Sequence, residues 1–316
     1  MKKSLFLLVP LFSLSLMSCA QERSFMLVPS GAPTVPLYGA IIEGNVETTT
    51  NTTSIPGQLL TGNYNYIVFD SVNAQAVLNK EGSNAKYSFA RMLTGGNFHL
   101  LGFGKENHQL PTNDDYIIGF NEQATPGKMF RKIFTDRTDA FNENKDGVQA
   151  VKTVLETLTP EYTTASGQKI DWALVADPVC SALKAQFNKK GITGIKDIDL
   201  QAKFKETVPG WEKDYICQAA LFVNKDYREH NFSAHQEFMS TLNTNIDGLF
   251  TNLEGALTKI SETFTTEEEI TNHFGVGLQP IRLAQGQDSA KNGLGIIPSS
   301  EVFTVQDIEL FTSLLK

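Results

Sequence analysis

The sequence predicts an α/β protein whose sheets are parallel or mixed and covered by helices on both faces. Two observations carry that expectation. Short apolar runs such as Tyr66–Phe69 and Phe98–Phe103 alternate along the chain with capped segments of helical periodicity, and strands separated by helices and buried on both faces pair in parallel. Apolar residues make up 41% of the 316-residue chain and charged residues 20%. That composition supports a sizeable core and carries too little charge for disorder. At roughly 150 residues per domain the length suits about two domains.

The elements follow in order. Phe25–Pro29 reads as a strand ending in the tight loop Ser30-Gly31-Ala32-Pro33, since Gly and Pro punctuate the apolar run. Ser54 to Leu60 reads as a helix start, with Ser54 as cap and Pro56 in the first turn. Tyr66–Phe69 is a buried strand, Asp70-Ser71-Val72-Asn73 its exit loop, and a helix follows through Ala74, Val77 and Leu78. Phe98–Phe103 and Tyr116–Phe120 are further strands. The segment from Asn121 leads into a helix with Thr125 as N-cap and Pro126 at its first position. Such an end offers free N–H groups to a polar or anionic group, and Gly127 has no side chain to block approach. Val148–Leu158 is an amphipathic helix. Ile170–Val175 is a strand running into Ala176-Asp177-Pro178, and Tyr215–Val223 is an unusually long strand pattern.

The remainder reads as helical. Ser233 with Gln236 makes a capping box for a helix through Phe238, Leu242, Ile246 and Leu249. Leu253, Leu257 and Ile260 continue the pattern as a second helix after Asp247-Gly248. Thr265 with Glu268 and Thr304 with Asp307 open the last two helices, and Glu267-Glu268-Glu269 is a solvated first turn.

Charge and motifs exclude several functions. Lys plus Arg total 27 against 35 for Asp plus Glu, a net charge of -8. No basic stripe is present, so neither nucleic acid nor an anionic membrane surface is an expected partner. The chain has no Gly-x-Ser-x-Gly elbow, no His-Glu-x-x-His and no phosphate-binding P-loop, so an enzyme is not expected. The five histidines are scattered, and His230 and His235 do not share a helical face. No metal or cofactor is therefore expected. Cys180 and Cys217 lie far apart without a Cys-x-x-Cys spacing. They read as small buried hydrophobes, with a disulfide between them left open.

The beginning of the chain reads as a leader. Lys2-Lys3 precede an apolar stretch from Leu5 to Leu16, too short to span a bilayer and suited to a secretory signal. It ends in Leu16-Met17-Ser18-Cys19, which resembles a bacterial lipobox. That resemblance implies removal of residues 1–18, acylation of Cys19 and a polar tether over 19–24. An ordinary signal peptide with an incidental Cys is the other reading. Both readings imply an exported protein.

The ordered set of segments resembles a known family. It comprises the Ser30-Gly31 loop, Pro56-Gly57-Gln58-Leu59-Leu60-Thr61-Gly62, Phe69-Asp70-Ser71-Val72-Asn73, Gly95-Gly96-Asn97-Phe98, Thr125-Pro126-Gly127, Asp171 to Pro178, and Gln218 to Asn224. Together they are similar to the substrate-binding proteins of ABC importers of the nitrate, sulfonate, taurine and thiamine-precursor type. The resemblance runs from about Phe25 to the C-terminus. Asp177-Pro178 departs from the Glu-Pro often found there. The resemblance implies a two-lobed type II periplasmic-binding-protein fold, each lobe a mixed sheet flanked by helices, joined by two crossover strands. The lobes are expected at 25–115 with 216–316, and at 116–215, with crossings near 114–118 and 214–218.

In open α/β sheets ligands sit beyond the carboxyl ends of the strands. The expected ligand contacts are therefore Ser30, Gly31, Ala32, Asp70, Ser71, Asn73, Asn97, Asn121, Thr125, Gly127 and Asp177, with Tyr38 and Phe69 as nearby aromatics. Turn chemistry alone accounts equally for Ser30, Asp70 and Asn121. With Lys128 as the nearby cation, these loops suit a small neutral or cationic heterocycle better than nitrate or a sulfonate. What the resemblance implies is a monomer, lipid-anchored at the outer face of the cytoplasmic membrane. It would hand a small molecule to an ABC permease and, through it, to the ATPase subunit. A surface scaffold or adhesin, or a surface enzyme on the same fold, are the alternatives.

Overall fold

The computed structural model describes residues 24–135, 137, 139–286 and 292–316. The expected leader and Cys19 lie outside the described residues. The strands are β1 (Ser24–Pro29), β2 (Val46–Thr49), β3 (Tyr64–Asp70), β4 (Tyr87–Thr94), β5 (Phe98–Phe103), β6 (Ile117–Phe120), β7 (Glu143–Lys145), β8 (Trp172–Ala176), β9 (Ile195–Asp199) and β10 (Ala219–Asn224). The helices of the first half are α1 (Tyr38–Ile42), α2 (Ile55–Thr61), α3 (Ser71–Glu81), α4 (Thr125–Ile133) and α5 (Val148–Leu155). Then come α6 (Val179–Lys189), α7 (Leu200–Thr207), α8 (Lys225–His230), α9 (Phe232–Thr251), α10 (Leu253–Thr263), α11 (Glu267–Phe274), α12 (Leu278–Gln285) and α13 (Val305–Leu314).

Two mixed sheets of one plan result. The first has the order β2-β1-β3-β10-β4 and the second β7-β6-β8-β5-β9. In each, the first three strands are parallel, and the fourth runs antiparallel to its neighbours. Every residue of the inner strands β6, β8 and β10 is buried. This is why Ile117–Phe120, Trp172–Ala176 and Ala219–Val223 read as unbroken apolar runs: helices cover both faces. Fully buried side chains such as Trp172, Phe222, Phe130 and Phe204 fill the layers, each contributing about 1.5–3 kcal/mol. The edges are blunted: β2 and β7 are short and polar, and β9 exposes Asp197 and Lys196 in part.

The fourth strand of each sheet is the one that arrives from the other sheet. β5 enters the second sheet directly from β4, so the chain first crosses at Gly95–Asn97 and not near 114–118. The segment 104–116 instead belongs to the second sheet's periphery, held by Lys105 to Asp115 (2.6 Å) and to Asp171 (2.9 Å). An apolar strand does not announce which sheet it joins, and this is what misplaced Phe98–Phe103 with the first lobe. The chain passes back from the second sheet to β10 of the first through the segment that ends in Tyr215–Gln218. Ile216 N donates to Gly95 O (2.7 Å) and Gly95 N to Gly295 O (2.8 Å), so three backbone segments meet there. A Cβ on Gly95 would lie 2.3 Å from Ile216 O, and one on Gly295 2.4 Å from Gly96 N. Only glycine permits that approach.

Several caps shift. Asn51, not Ser54, caps the turn ahead of α2, because a 3-10 turn over Thr52–Ser54 runs straight into the helix. Ser233 lies inside α9, which follows Asn231 without a side-chain cap, while Asn224 caps α8. α9 runs through Asp247-Gly248 and ends at Thr251, where Asn252 caps α10. The capping box of α11 is Thr266 with Glu269, one residue on from the expected pair. Thr304 with Asp307 caps α13 as expected.

Candidate functional site

The parallel strands β1 and β3 of the first sheet and β6 and β8 of the second point their carboxyl ends at one seam between the sheets. At the end of β3 the Asp70 carboxylate is the N-cap of α3, where Oδ1 accepts from Asn73 N at 2.8 Å. The expected exit loop Asp70–Asn73 is therefore already helix, because an Asp cap satisfies the first turn and removes the need for a loop. Oδ2 accepts from the Thr125 hydroxyl at 2.8 Å. Thr125 is the first residue of α4 and Ala124 its N-cap, so the hydroxyl is turned outward across the seam. Burial pushes the Asp70 carboxyl up from the usual range, against the pull of the Asn73 amide, the Thr125 hydroxyl and Lys128.

Beneath this contact the crossing segments form a polar floor. Asn97 and Asp177 bond reciprocally: Asp177 N donates to Asn97 O (2.8 Å), and Asn97 Nδ2 to Asp177 O (2.8 Å). Gln218 Nε2 donates to Asn97 Oδ1, and Ser71 N donates to Gln218 O at 2.7 Å. Ser71 Oγ, Thr94 Oγ1 and Gln218 Oε1 are buried without a hydrogen-bond partner among the described residues. Buried oxygens of this kind call for a hydrogen-bond partner, which water or a ligand can supply. Gln218 was missed in the sequence, where it looks like one polar residue inside a long strand.

The other expected contacts divide. Ser30 and Gly31 lie half-buried beside the seam, near Gly275, whose carbonyl accepts from Gln149 of the second lobe at 3.0 Å. Ala32, Tyr38 and Phe69 are in the hydrophobic core, since both rings are needed to fill it. Asn121 is exposed with φ 52, a turn conformation that suits Asn. Gly127 is buried, and a Cβ there would lie 2.1 Å from Glu122 O. Its missing side chain serves the packing of its own loop, not ligand access.

Asp177 is buried and engaged. Oδ1 accepts from Ser181 N at 2.8 Å, while Oδ2 lies 3.3 Å from His99 Nε2 without hydrogen-bond alignment. His99 Nδ1 faces Asp197 Oδ1 at 3.0 Å, and Asp197 also pairs with Lys184. Burial lowers the affinity of the His99 imidazole for its proton, but the two carboxylates outweigh it and push its pKa up to about 9. Asp197 is held at about 2: burial raises it, and His99 and Lys184 outweigh burial. A cavity of about 470 Å³ adjoins the group, lined by His99, Asp177 and Lys184 of one lobe and Leu283, Ala284 and Asn292 of the other. Sequence offered no signal for this cluster. β5 is flanked by β8 and β9 with His99 opposite Val175 and Asp199, which makes Asp177 and Asp197 its diagonal neighbours.

No protein-family description and no curated protein sequence matches the chain. Solved structures match in fold. The alkanesulfonate-binding protein SsuA from Xanthomonas axonopodis pv. citri bound to MOPS is 12% identical with a TM-score of 0.57, covering 92% of this chain and 91% of that one. An ABC transporter structure from Parabacteroides distasonis is 14% identical with a TM-score of 0.53, covering 88% and 99%. The periplasmic nitrate-binding protein NrtA from Synechocystis PCC 6803 is 9% identical with a TM-score of 0.52, covering 91% and 75%. At these identities the likeness is one of fold. The chain has the two-lobed fold of ABC-importer substrate-binding proteins. No described helix is long and apolar enough to cross a membrane.

Proposed function

We propose that this protein is an extracytoplasmic solute-binding lipoprotein that captures a small molecule between its lobes and presents it to an ABC permease and its ATPase subunit. The observation that carries the reading is the seam. Thr125 of the second lobe reaches Asp70 of the first above a floor of orphaned oxygens at Ser71, Thr94 and Gln218. A closing cleft lined with unpaired polar atoms is a place for a ligand to satisfy them.

The lobes follow the sheets: 24–94 with 219–316, and 98–214, hinged at 95–97 and 215–218. Binding acts without chemistry, as a monomer held at the outer face of the cytoplasmic membrane by acylated Cys19. Ser30, Gly31, Asp70, Ser71, Asn73, Asn97 and Thr125 supply or frame the contacts, joined by Thr94 and Gln218. Asp70 and the floor favour a small neutral or cationic ligand that donates hydrogen bonds. Lys128, half-buried beside Asp70, is a weak provision for an anion.

The test is a thermal-shift screen of purified protein against a nutrient panel, with mass spectrometry of whatever small molecule co-purifies. One metabolite should raise the melting temperature, and at a hundredfold excess over Kd it adds about 2.7 kcal/mol. A panel without a single shift, and no small molecule carried through purification, would defeat the reading and favour a surface scaffold.

A further inference from the structure

One ring nitrogen of His99, one carboxylate oxygen of Asp177 and Cys180 Sγ lie within 4.8 Å of one another, at the edge of the polar floor to which the Asp177 backbone belongs. We propose that these three atoms form a binding site for a borderline-soft divalent cation of the Zn²⁺ class. The proposal is independent of solute capture.

The spacing is the first support. Nε2 and Oδ2 are 3.3 Å apart and not aligned for a hydrogen bond. Two ligands of one tetrahedral ion, bonded at about 2.0–2.2 Å, are separated by about 3.4 Å. The donor set is imidazole, carboxylate and thiol, which suits Zn²⁺ or Co²⁺ and not Mg²⁺ or Ca²⁺.

The surroundings are the second support. Asp197 holds Nδ1 of His99 at 3.0 Å and is itself paired with Lys184. With Nδ1–H committed to that carboxylate, Nε2 is the nitrogen left to carry a lone pair toward the ion. Asp177 Oδ1 is committed to the Ser181 amide at 2.8 Å, which leaves Oδ2 free to ligate. The three ligands stand at the start of β5, just past β8 and in the first turn of α6, on rigid elements. His99 and Asp177 line the cavity, which supplies an entry path and room for water as a fourth ligand.

Lys184 and Asp199, both on the cavity wall, are the other charged groups that face the site.

The full chain, stripped with a chelator, is titrated with Co²⁺ and then Zn²⁺. One equivalent of Co²⁺ should bring up thiolate-to-cobalt charge-transfer absorption, and Zn²⁺ should abolish it. Cys180→Ser should lose the absorption while Cys217→Ser and Cys19→Ala keep it. His99→Gln and Asp177→Asn should weaken binding at least tenfold, and Asp197→Asn tenfold to a hundredfold. Absence of the absorption in the unmodified chain overturns the site, and so does its persistence in a folded Cys180→Ser.

Discussion

The Thr125 hydroxyl donates to Asp70 Oδ2 at 2.8 Å, tying the first turn of α4 in one lobe to the last residue of β3 in the other. With the Gln149 amide on Gly275 O (3.0 Å), it bridges the lobes away from the crossing segments. Thr125→Val keeps the shape and removes the donor. A hydrogen bond to a charged acceptor is worth about 1.5–3 kcal/mol, so the variant should shift toward an open arrangement by about tenfold or more. Small-angle scattering should report a larger radius of gyration than the parent. Superimposable curves from two folded proteins would show that this contact does not hold the lobes together.

Gly127 and Gly57 form a matched pair. A Cβ on Gly127 would sit 2.1 Å from Glu122 O, whereas one on Gly57 in α2 would meet nothing within 4 Å. Gly127→Ala should lose about 3 kcal/mol, since backbone must move to make room. Gly57→Ala should be neutral or gain up to about 1 kcal/mol from helix propensity. Urea melts of both decide it, and equal midpoints would refute the close packing at Gly127.

The His99 pair gives a pH dependence with a definite sign. His99 is raised from 6.5 to about 9, so the stability it adds is complete below about pH 6.5 and is lost as pH rises through about 9. Asp197 is lowered from 3.8 to about 2, so its share is complete above about pH 4 and is lost as pH falls through about 2. With chelator present, the parent should lose on the order of 2–3 kcal/mol between pH 6 and 9.5 from this group. Lys184, Cys180, Asp177 and Asp199 face the same group and stay in place in the comparison. His99→Gln should flatten that slope. A parent and variant with parallel stability profiles would remove His99 from the account.

Membrane attachment is checked by fractionation. Acylated Cys19 should send the parent to the membrane fraction, and Cys19→Ala should release it to the soluble exported fraction. Equal partitioning of the two would mean that Cys19 carries no anchor.

The α/β class, the buried inner strands and the helix start at Thr304 were legible because each depends on residues a few positions apart. Periodicity and caps are local: Asp307 bonds Thr304 three residues away. For the same reason the misses were small where the competition was local, as with Thr266 taking the cap from Thr265. That Asp70, Asn97 and Thr125 stand at the ends of elements was legible because turn and cap chemistry is local.

What the sequence by itself determined is the kind of layers this chain builds and which loops end its strands. Only the tertiary structure decided that β5 joins the second sheet, that the crossing is at Gly95–Asn97, and that Gly127 serves packing. It alone set Asp177 and Asp197 on either side of His99, residues separated by 78 and 98 positions in the chain. The reason is physical. Sheet membership and register are fixed by pairing between distant strands, and a run such as Phe98–Phe103 fits either sheet equally well until its neighbours are in place.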